Sequence, residues 1–197
     1  MRQLRTITIS NSKELNVDKK EILRYLRVAK SDSKVDTLVE ECLNTAIATI
    51  SPKAVALESE FEILDEEQVK FDFATFKSRS LVSTLNGYEK AYVFCATIGI
   101  ELDRMIERYS KILPSKGTVF HAVGSALIES FCDHVNGILV DGKNSTRRFS
   151  PGYGDLSLEY QRDIIKFLDA ERKIGIILAD SLLMTPSKSV TAIIGVK

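Results

Sequence analysis

The chain is 197 residues long, and 44% of its residues are hydrophobic while 27% are charged. Its 27 basic and 27 acidic residues cancel, which excludes the one-sided field that would gather nucleic acid or an anionic membrane surface. This length and composition favour one globular domain, over residues 1–197, that folds alone.

The cysteines and the N-terminus indicate a reducing compartment. Cys42, Cys95 and Cys132 are widely spaced within apolar runs, without the paired spacing of a zinc site or a disulfide framework. The segment Met1–Ser10 lacks the apolar stretch of a signal peptide, and no apolar run reaches the roughly 20 residues of a membrane helix. We therefore predict a cytoplasmic protein with buried thiols, no metal site and no membrane partner.

Two helices are predicted in an N-terminal part of about residues 1–52. Asp18 is a suitable N-cap for a first helix that runs to Val28. From Val35 to Ile50 apolar residues recur every three or four positions, which predicts a second helix that ends before Pro52.

After Pro52 the spacing of the apolar residues changes to every second position, the period of a strand. Alternating residues predict a hairpin of two strands, Val55–Ile63 and Val69–Phe73, and Ser80–Thr84 is predicted as a further short strand. The continuous apolar run Ala91–Thr97 predicts a strand that is buried on both faces.

The rest of the chain alternates between helical and extended patterns. A helix is predicted from Gly99 to Leu113, and Pro114 and Gly117 are expected to break it. The later predictions are helices over Thr118–Leu139 and Leu158–Leu168 and strands over Ile174–Leu178 and Ser189–Val196. The predicted class is α+β, with an antiparallel or mixed sheet flanked by helices in a core of about residues 53–197.

The segment Arg148–Asp155 differs in composition from its surroundings. Pro151 fixes φ, while Gly152 and Gly154 permit conformations and close approaches that a Cβ would forbid, so the backbone could wrap a ligand. Pro151-Gly152 also fits the centre of a type II turn, and the segment would then be a plain connection. The eight residues alone leave both interpretations open.

The surroundings of this segment carry a family resemblance that spans about half the chain. The pattern Arg-x-x-x-Gly-Tyr, at Arg148, Gly152 and Tyr153, resembles the C-terminal part of the reactivation domain of cobalamin-dependent methionine synthase. The match continues, in order, through Leu158–Gln161, Leu168–Glu171, Ile174–Leu178, Met184–Pro186 and Ser189-Val190, and extends back to Ala96–Gly99 and Gly124–Glu129. Glu21–Leu26 looks like the opening helix of the short, free-standing members of the family.

The resemblance implies a function. It implies a protein that binds S-adenosylmethionine and docks over a cobalamin held by a partner, a separate cobalamin-dependent methionine synthase or another corrinoid protein. With an electron from a flavodoxin-like or other donor, the oxidised corrinoid is returned to its methylated state. The chain would be a component of a methyltransferase reactivation system rather than a complete enzyme, since the cofactor carries the chemistry. The alternative is a non-catalytic docking or capping module for a corrinoid protein.

The resemblance also implies site residues, none of them catalytic. Arg148 matches the motif arginine, whose planar fork suits the methionyl carboxylate. Ser150 and Gly152 would contact the ligand through their backbone, and the Tyr153 ring would lie near the sulfonium. Glu129 corresponds to a glutamate that meets the ligand's ammonium group.

Each assignment has a structural alternative. Arg148 could instead be a loop arginine that pairs with Asp155 or Asp141. Tyr153 could pack beneath the loop, and Glu129 could face water.

Other positions are expected to lie outside the ligand contacts or to depart from the family. His121 and His134 are too far apart on one helix to share a metal, and Met184 and Pro186 are expected in the core. The resemblance provides no counterpart here for an N-terminal aspartate contact. An aromatic residue of the long form is replaced by Ile193 or Ile194, which is expected to reshape the pocket wall.

Overall fold

A six-stranded antiparallel sheet organises the chain, for which the computed structural model describes residues 5–8 and 14–197. The strands of this sheet are β1 (Arg5–Thr8), β2 (Lys53–Ile63), β3 (Gln68–Phe71), β4 (Thr75–Lys77), β5 (Lys90–Thr97) and β8 (Ser189–Val196). A separate two-stranded ribbon is formed by β6 (Ile177–Leu178) and β7 (Met184–Thr185).

The long strand β2 sets the topology, which runs in the order β4-β3-β2-β5-β8. The first half of β2 pairs with β1, so that Ala56 lies opposite Arg5, and its last residues pair with β3, with Ile63 opposite Val69. Strand β8 pairs with β5 and leaves its other edge available to the segment that follows the longest helix.

Helices cover both faces of the sheet. The described helices are α1 (Lys19–Tyr25), α2 (Ser33–Thr49), α3 (Arg79–Leu85), α4 (Glu101–Ile112), α5 (Pro114–Val140), α6 (Gln161–Leu168) and α7 (Ala170–Ile174), with a 3₁₀ turn at Leu158–Tyr160. Helices α1, α2 and α4 pack on α5, which lies against one face, while α3, α6 and α7 pack on the other. The side chain of Asp18 caps α1 by accepting a hydrogen bond from Lys20 N at 2.8 Å, as predicted.

Strand β5 is the centre of both hydrophobic cores. Tyr92 and Phe94 face the α5 side, whereas Val93 and Cys95 face the α6 side, as the two-residue period of a strand requires. The prediction of a strand buried on both faces is confirmed, as is the α+β class with a sheet flanked by helices.

The predicted strand at Ser80–Thr84 is wrong, because these residues belong to α3. Ser78 caps this helix by accepting a hydrogen bond from Leu81 N at 3.0 Å. The carboxylate of Asp155, remote in sequence, accepts from Arg79 N at 2.8 Å and from Ser80 N at 3.1 Å. Satisfaction of these first-turn amides stabilises a helix that the local sequence does not signal.

Two helix boundaries also differ from the prediction. Helix α5 begins at Pro114, because proline at the first helical position has no amide to leave unsatisfied. Gly117 lies inside this helix, where a Cβ would come within 2.7 Å of Ser110 N, so it permits close packing on α4. Ile174 ends α7, and the predicted strand Ile174–Leu178 is reduced to its last two residues.

The N-terminal segment forms a short strand, and the three thiols are buried. Strand β1 was not predicted, and residues 1–4, 9 and 10 of the segment Met1–Ser10 lie outside the described residues. All three cysteines are free and buried, as predicted. No helix in the described part of the chain combines the length and apolarity needed to cross a membrane.

Candidate functional site

The segment before the Pro-Gly turn lies along the free edge of β8. Phe149 N donates to Ile193 O at 2.9 Å, and Ile193 N donates to Phe149 O at 2.8 Å. Phe149 packs into the core on the α6 side of the sheet. Because consecutive residues of an extended segment point to opposite faces, Arg148 is directed towards α5.

The Pro-Gly pair forms a tight turn. Tyr153 N donates to Ser150 O at 3.1 Å, and Gly152 has a φ of 91°, the combination typical of a type II turn with glycine at its third position. The amide of Gly152 donates to Leu156 O at 2.8 Å, so the turn uses that donor internally. The predicted type II turn is therefore present.

Asp155 anchors the end of this loop to α3. Its carboxylate accepts from Ser78 Oγ at 2.5 Å in addition to the two amides at the start of the helix. The hydrogen bond from Ser78, supported by these backbone amides, holds the pKa of Asp155 well below its usual value. The loop is thus fixed at Phe149 by β8 and at Asp155 by α3.

Helix α5 supplies the groups that meet Arg148. Nη2 of Arg148 donates to Glu129 Oε2 at 2.8 Å, and Nη1 donates to Asp133 Oδ1 at 2.7 Å. The side-chain amide of Asn136 is oriented so that its nitrogen donates to Cys132 O at 3.3 Å. Its oxygen then accepts a further hydrogen bond from Nη1 of Arg148 at 3.0 Å. Arg148 therefore pairs with carboxylates of α5, and the alternative pairing with Asp155 or Asp141 is wrong.

Burial makes this ion-pair cluster asymmetric. The side chain of Arg148 is 17% exposed, against 48% for Glu129 and 74% for Asp133. A carboxylate that leaves Arg148 can be solvated readily, whereas the guanidinium requires a partner where it stands. The arrangement is therefore suited to exchange one anionic partner for another.

A cavity of about 580 Å³ opens beside this cluster. It is lined by Glu129, Asp133, Asn136, Arg147, Arg148, Phe149, Ser150, Pro151, Tyr153, Gln161, Met184, Ser189, Val190 and Thr191. Gln161 is buried and donates from Nε2 to Leu182 O at 3.1 Å, which ties α6 to the loop before β7. The Arg148 cavity, as we call it, thus lies where α5, the Pro-Gly turn and β8 meet.

A second cavity, of about 650 Å³, adjoins the first. Glu129, Asp133 and Tyr153 line both, and Tyr25 of α1 contributes to the second. Tyr153 is 66% exposed, so its ring stands at the boundary instead of packing beneath the loop.

Four of the five predicted site residues come together in the Arg148 cavity. Arg148, Ser150, Tyr153 and Glu129 line it, whereas Gly152 forms the adjacent turn without lining it. The ligand contacts expected of all five stay predictions.

The neighbouring predictions have mixed outcomes. Met184 is partly buried and packs against the core on the α6 side, as expected, and it also lines the cavity, whereas Pro186 is buried as expected. Ile193 and Ile194 are buried in the cores on opposite faces of the sheet and do not form the cavity wall. The β8 part of that wall is formed by Ser189, Val190 and Thr191.

Sequence reasoning missed Asp133 and Asn136. Glu129, Asp133 and Asn136 are spaced four and three residues apart, so they lie on one face of α5. That polar stripe, on a helix whose other positions are largely apolar, is the signal that could have identified them.

The cavity offers charge complementarity and no metal site. Its guanidinium can bind a carboxylate through paired hydrogen bonds, and the carboxylates opposite can receive an ammonium group. Among residues 5–8 and 14–197, no group of three or more His, Cys, Asp or Glu side chains could hold a metal ion. The arrangement is therefore suited to binding and orienting a zwitterion.

These features define an α+β domain with an ionic cavity between a helix, a turn and a strand edge. Among solved structures, the chain is similar to the MetH reactivation domain bound to AdoHcy, with a TM-score of 0.76 and 13% sequence identity. The similarity covers 98% of this chain and 78% of that chain. No protein-family model and no curated protein sequence matches the chain. At this identity the comparison establishes the fold.

Proposed function

We propose that this chain binds S-adenosylmethionine in the Arg148 cavity and serves as a reactivation protein for a separate cobalamin-dependent methionine synthase. The observation that carries the proposal is the meeting of Arg148, Glu129 and Tyr153 in one cavity of a domain with the fold of the MetH reactivation domain. That domain was solved with AdoHcy, which shares the zwitterionic amino-acid end of S-adenosylmethionine.

Binding is an exchange of ion pairs. The carboxylate of the ligand replaces Glu129 at Nη2 of Arg148, and the ligand's ammonium pairs with the released Glu129. Asp133 remains at Nη1 and holds the guanidinium in place. Because each charge keeps a partner throughout, the exchange avoids leaving the largely buried Arg148 uncompensated.

The remaining lining residues orient the rest of the ligand. The exposed Tyr153 ring offers a π face to the sulfonium, and the backbone of Ser150 is available to the adenosyl group. The corrinoid, held by the partner, supplies the methyl-accepting metal chemistry. This chain contributes binding, orientation and exclusion of water, for which no general base is needed.

Isothermal titration calorimetry with S-adenosylmethionine tests the ligand assignment. Arg148→Ala should weaken binding by about 10- to 100-fold, the loss expected for the one charge-assisted hydrogen bond between Nη2 and the ligand's carboxylate. Arg172→Ala is the matched control, because Arg172 is exposed and pairs with Asp169 near α7. Equal affinities for wild type and Arg148→Ala would remove Arg148 from the binding site.

A reconstitution assay tests the role in reactivation. An oxidised methionine synthase that lacks its own reactivation domain is supplied with an electron donor. Turnover should recover when this chain and S-adenosylmethionine are both added, and neither alone should suffice. Recovery without this chain would contradict the proposed role while leaving ligand binding intact.

A docking or capping module is the second candidate, and one observation favours it. Glu129 and Asp133 already satisfy the guanidinium of Arg148, so the cavity is charge-compensated without a ligand. A chain that captures a corrinoid protein, but gives no heat with S-adenosylmethionine, would select this candidate over the first.

A further inference from the structure

A buried lysine packs against the face of α5 that also carries Glu129, but it does not line the Arg148 cavity. Lys188, just before β8, is 7% exposed, and its Nζ donates to Ser125 Oγ at 3.0 Å. The same Nζ lies 3.4 Å from Nδ1 and 3.3 Å from Nε2 of His121. Both neighbours are on α5, one turn apart.

The helix provides space for this lysine. A Cβ on Gly124 would lie 3.1 Å from Cε and 3.2 Å from Cγ of Lys188, so the stem of the lysine runs over a position without a side chain. Glycine inside a helix lowers its stability relative to alanine, and here the space that it leaves is filled by a charged residue. The ammonium is therefore held at a defined place beside His121 and Ser125.

The charge of Lys188 has no carboxylate partner among the described residues. Asp103 of α4, whose charge acts on both Lys188 and His121, accepts from Ser187 N at 2.6 Å and from Ser187 Oγ at 2.5 Å. Burial lowers the pKa of Lys188, against the opposing effect of Asp103. Burial and the charge of Lys188 lower the pKa of His121. An anion placed here would give Lys188 the direct ion-pair partner that it lacks among the described residues.

A cavity of about 340 Å³ is lined by two members of this cluster, whose side chains lie 3.0–3.4 Å from Nζ of Lys188, while Lys188 itself does not line it. His121 and Ser125 line it together with Tyr25, Ile106, Ser110, Gly117, Thr118 and Ala122. None of these residues lines the Arg148 cavity, so a ligand here would not compete directly for Arg148.

We propose that Lys188, His121 and Ser125 form a second binding site, for an oxyanion carried by a small molecule. The ammonium of Lys188 and an N–H of His121 donate to the anion, which becomes the direct ion-pair partner of the lysine. A phosphate or phosphate monoester is the favoured class, since its several oxygens can accept from both donors at once.

Proton NMR of the two histidine rings tests the site without any S-adenosyl compound. His121 and His134 are the only histidines in the sequence, so a His134→Gln variant assigns both sets of signals. Inorganic phosphate or phenyl phosphate should shift the His121 signals saturably and leave His134 unchanged. Saturation by phenyl phosphate alone would assign the site to esters, and saturation by both would assign it to phosphate generally.

Variants of Lys188 decide whether the lysine is responsible. Lys188→Met should weaken phosphate binding by at least about ten-fold, and Lys188→Arg should retain it, because only the second keeps the cation. Lys111→Met, at an exposed lysine paired with Glu107 on α4, is the control and should bind as wild type does. If Lys188→Met does not fold, Lys188→Arg and wild type still provide the test. The proposal is overturned if His121 in wild type does not respond to either anion, or if Lys188→Met binds equally well.

Discussion

A single methyl group at Gly154 should disturb the loop that carries Arg148. Gly154 has a φ of 56°, and a Cβ built on it would lie 2.8 Å from Ser80 Oγ and 3.1 Å from Ser80 Cβ. Ser80 belongs to the first turn of α3, whose amides are bound by Asp155. Gly142 is the matched control, since it has a φ of 78° and no atom lies within 4 Å of its Cβ position.

The two alanine variants share one cost and differ in another. An alanine in the left-handed region costs about 1–2 kcal/mol at either position. Only Gly154→Ala adds an overpacking cost, of about 1–3 kcal/mol, because Ser80 must move. We therefore expect Gly154→Ala to lower the free energy of unfolding by about 2–5 kcal/mol, against about 1–2 kcal/mol for Gly142→Ala.

Urea unfolding of both variants, followed by far-ultraviolet circular dichroism, measures the difference. Gly154→Ala should also weaken S-adenosylmethionine binding, because the loop between Phe149 and Asp155 loses its fixed end. Gly142→Ala should bind as wild type does. Equal loss of stability in the two variants would refute the role of the Ser80 contact in holding the loop.

Three further predictions concern Asp155, the thiols and Asp133. The pKa of Asp155 is lowered in the fold by Ser78, so its stabilisation is complete above the unfolded pKa of about 3.9 and lost as pH falls through the folded pKa. The stability difference between wild type and Asp155→Asn should therefore shrink between about pH 5 and pH 2 in urea unfolding. Burial raises the pKa of Cys132 to about 12, and all three thiols should resist a disulfide reagent at neutral pH until the chain unfolds, as a colorimetric thiol assay would reveal. Asp133→Asn should weaken S-adenosylmethionine binding less than Arg148→Ala does, because Asp133 is 74% exposed, and calorimetry would reveal a larger effect as a contradiction.

Periodicity and resemblance predicted much of this architecture from the sequence. The apolar run Ala91–Thr97 identified β5, since a short continuous run of this kind is typical of a strand covered on both faces. The motif residues Arg148, Ser150 and Tyr153 do line one cavity, because Arg148 closely precedes the turn that begins at Ser150 and ends at Tyr153. Glu129 joins them because α5 packs on the face of the sheet opposite to Phe149, which is the face towards which Arg148 is directed.

What the sequence could not supply depends on contacts between distant segments. Helix α3 is capped by Asp155, which lies 77 positions after Ser78, so Ser80–Thr84 was assigned to the wrong element. Asp133 belongs to the polar stripe of α5, but its pairing with Arg148 depends on a segment 15 positions further along the chain. Strand β1 has four residues, too few for a periodic signal, and its pairing with β2 supplies the register.

A crystal structure of the chain with S-adenosylmethionine tests the proposed exchange of ion pairs at Arg148. We expect the ligand's carboxylate on Nη2 of Arg148, with Glu129 moved from its present 2.8 Å contact onto the ligand's ammonium. Asp133 should stay at Nη1. A structure with the ligand elsewhere, or with the Arg148–Glu129 pair intact beside a bound ligand, would contradict it.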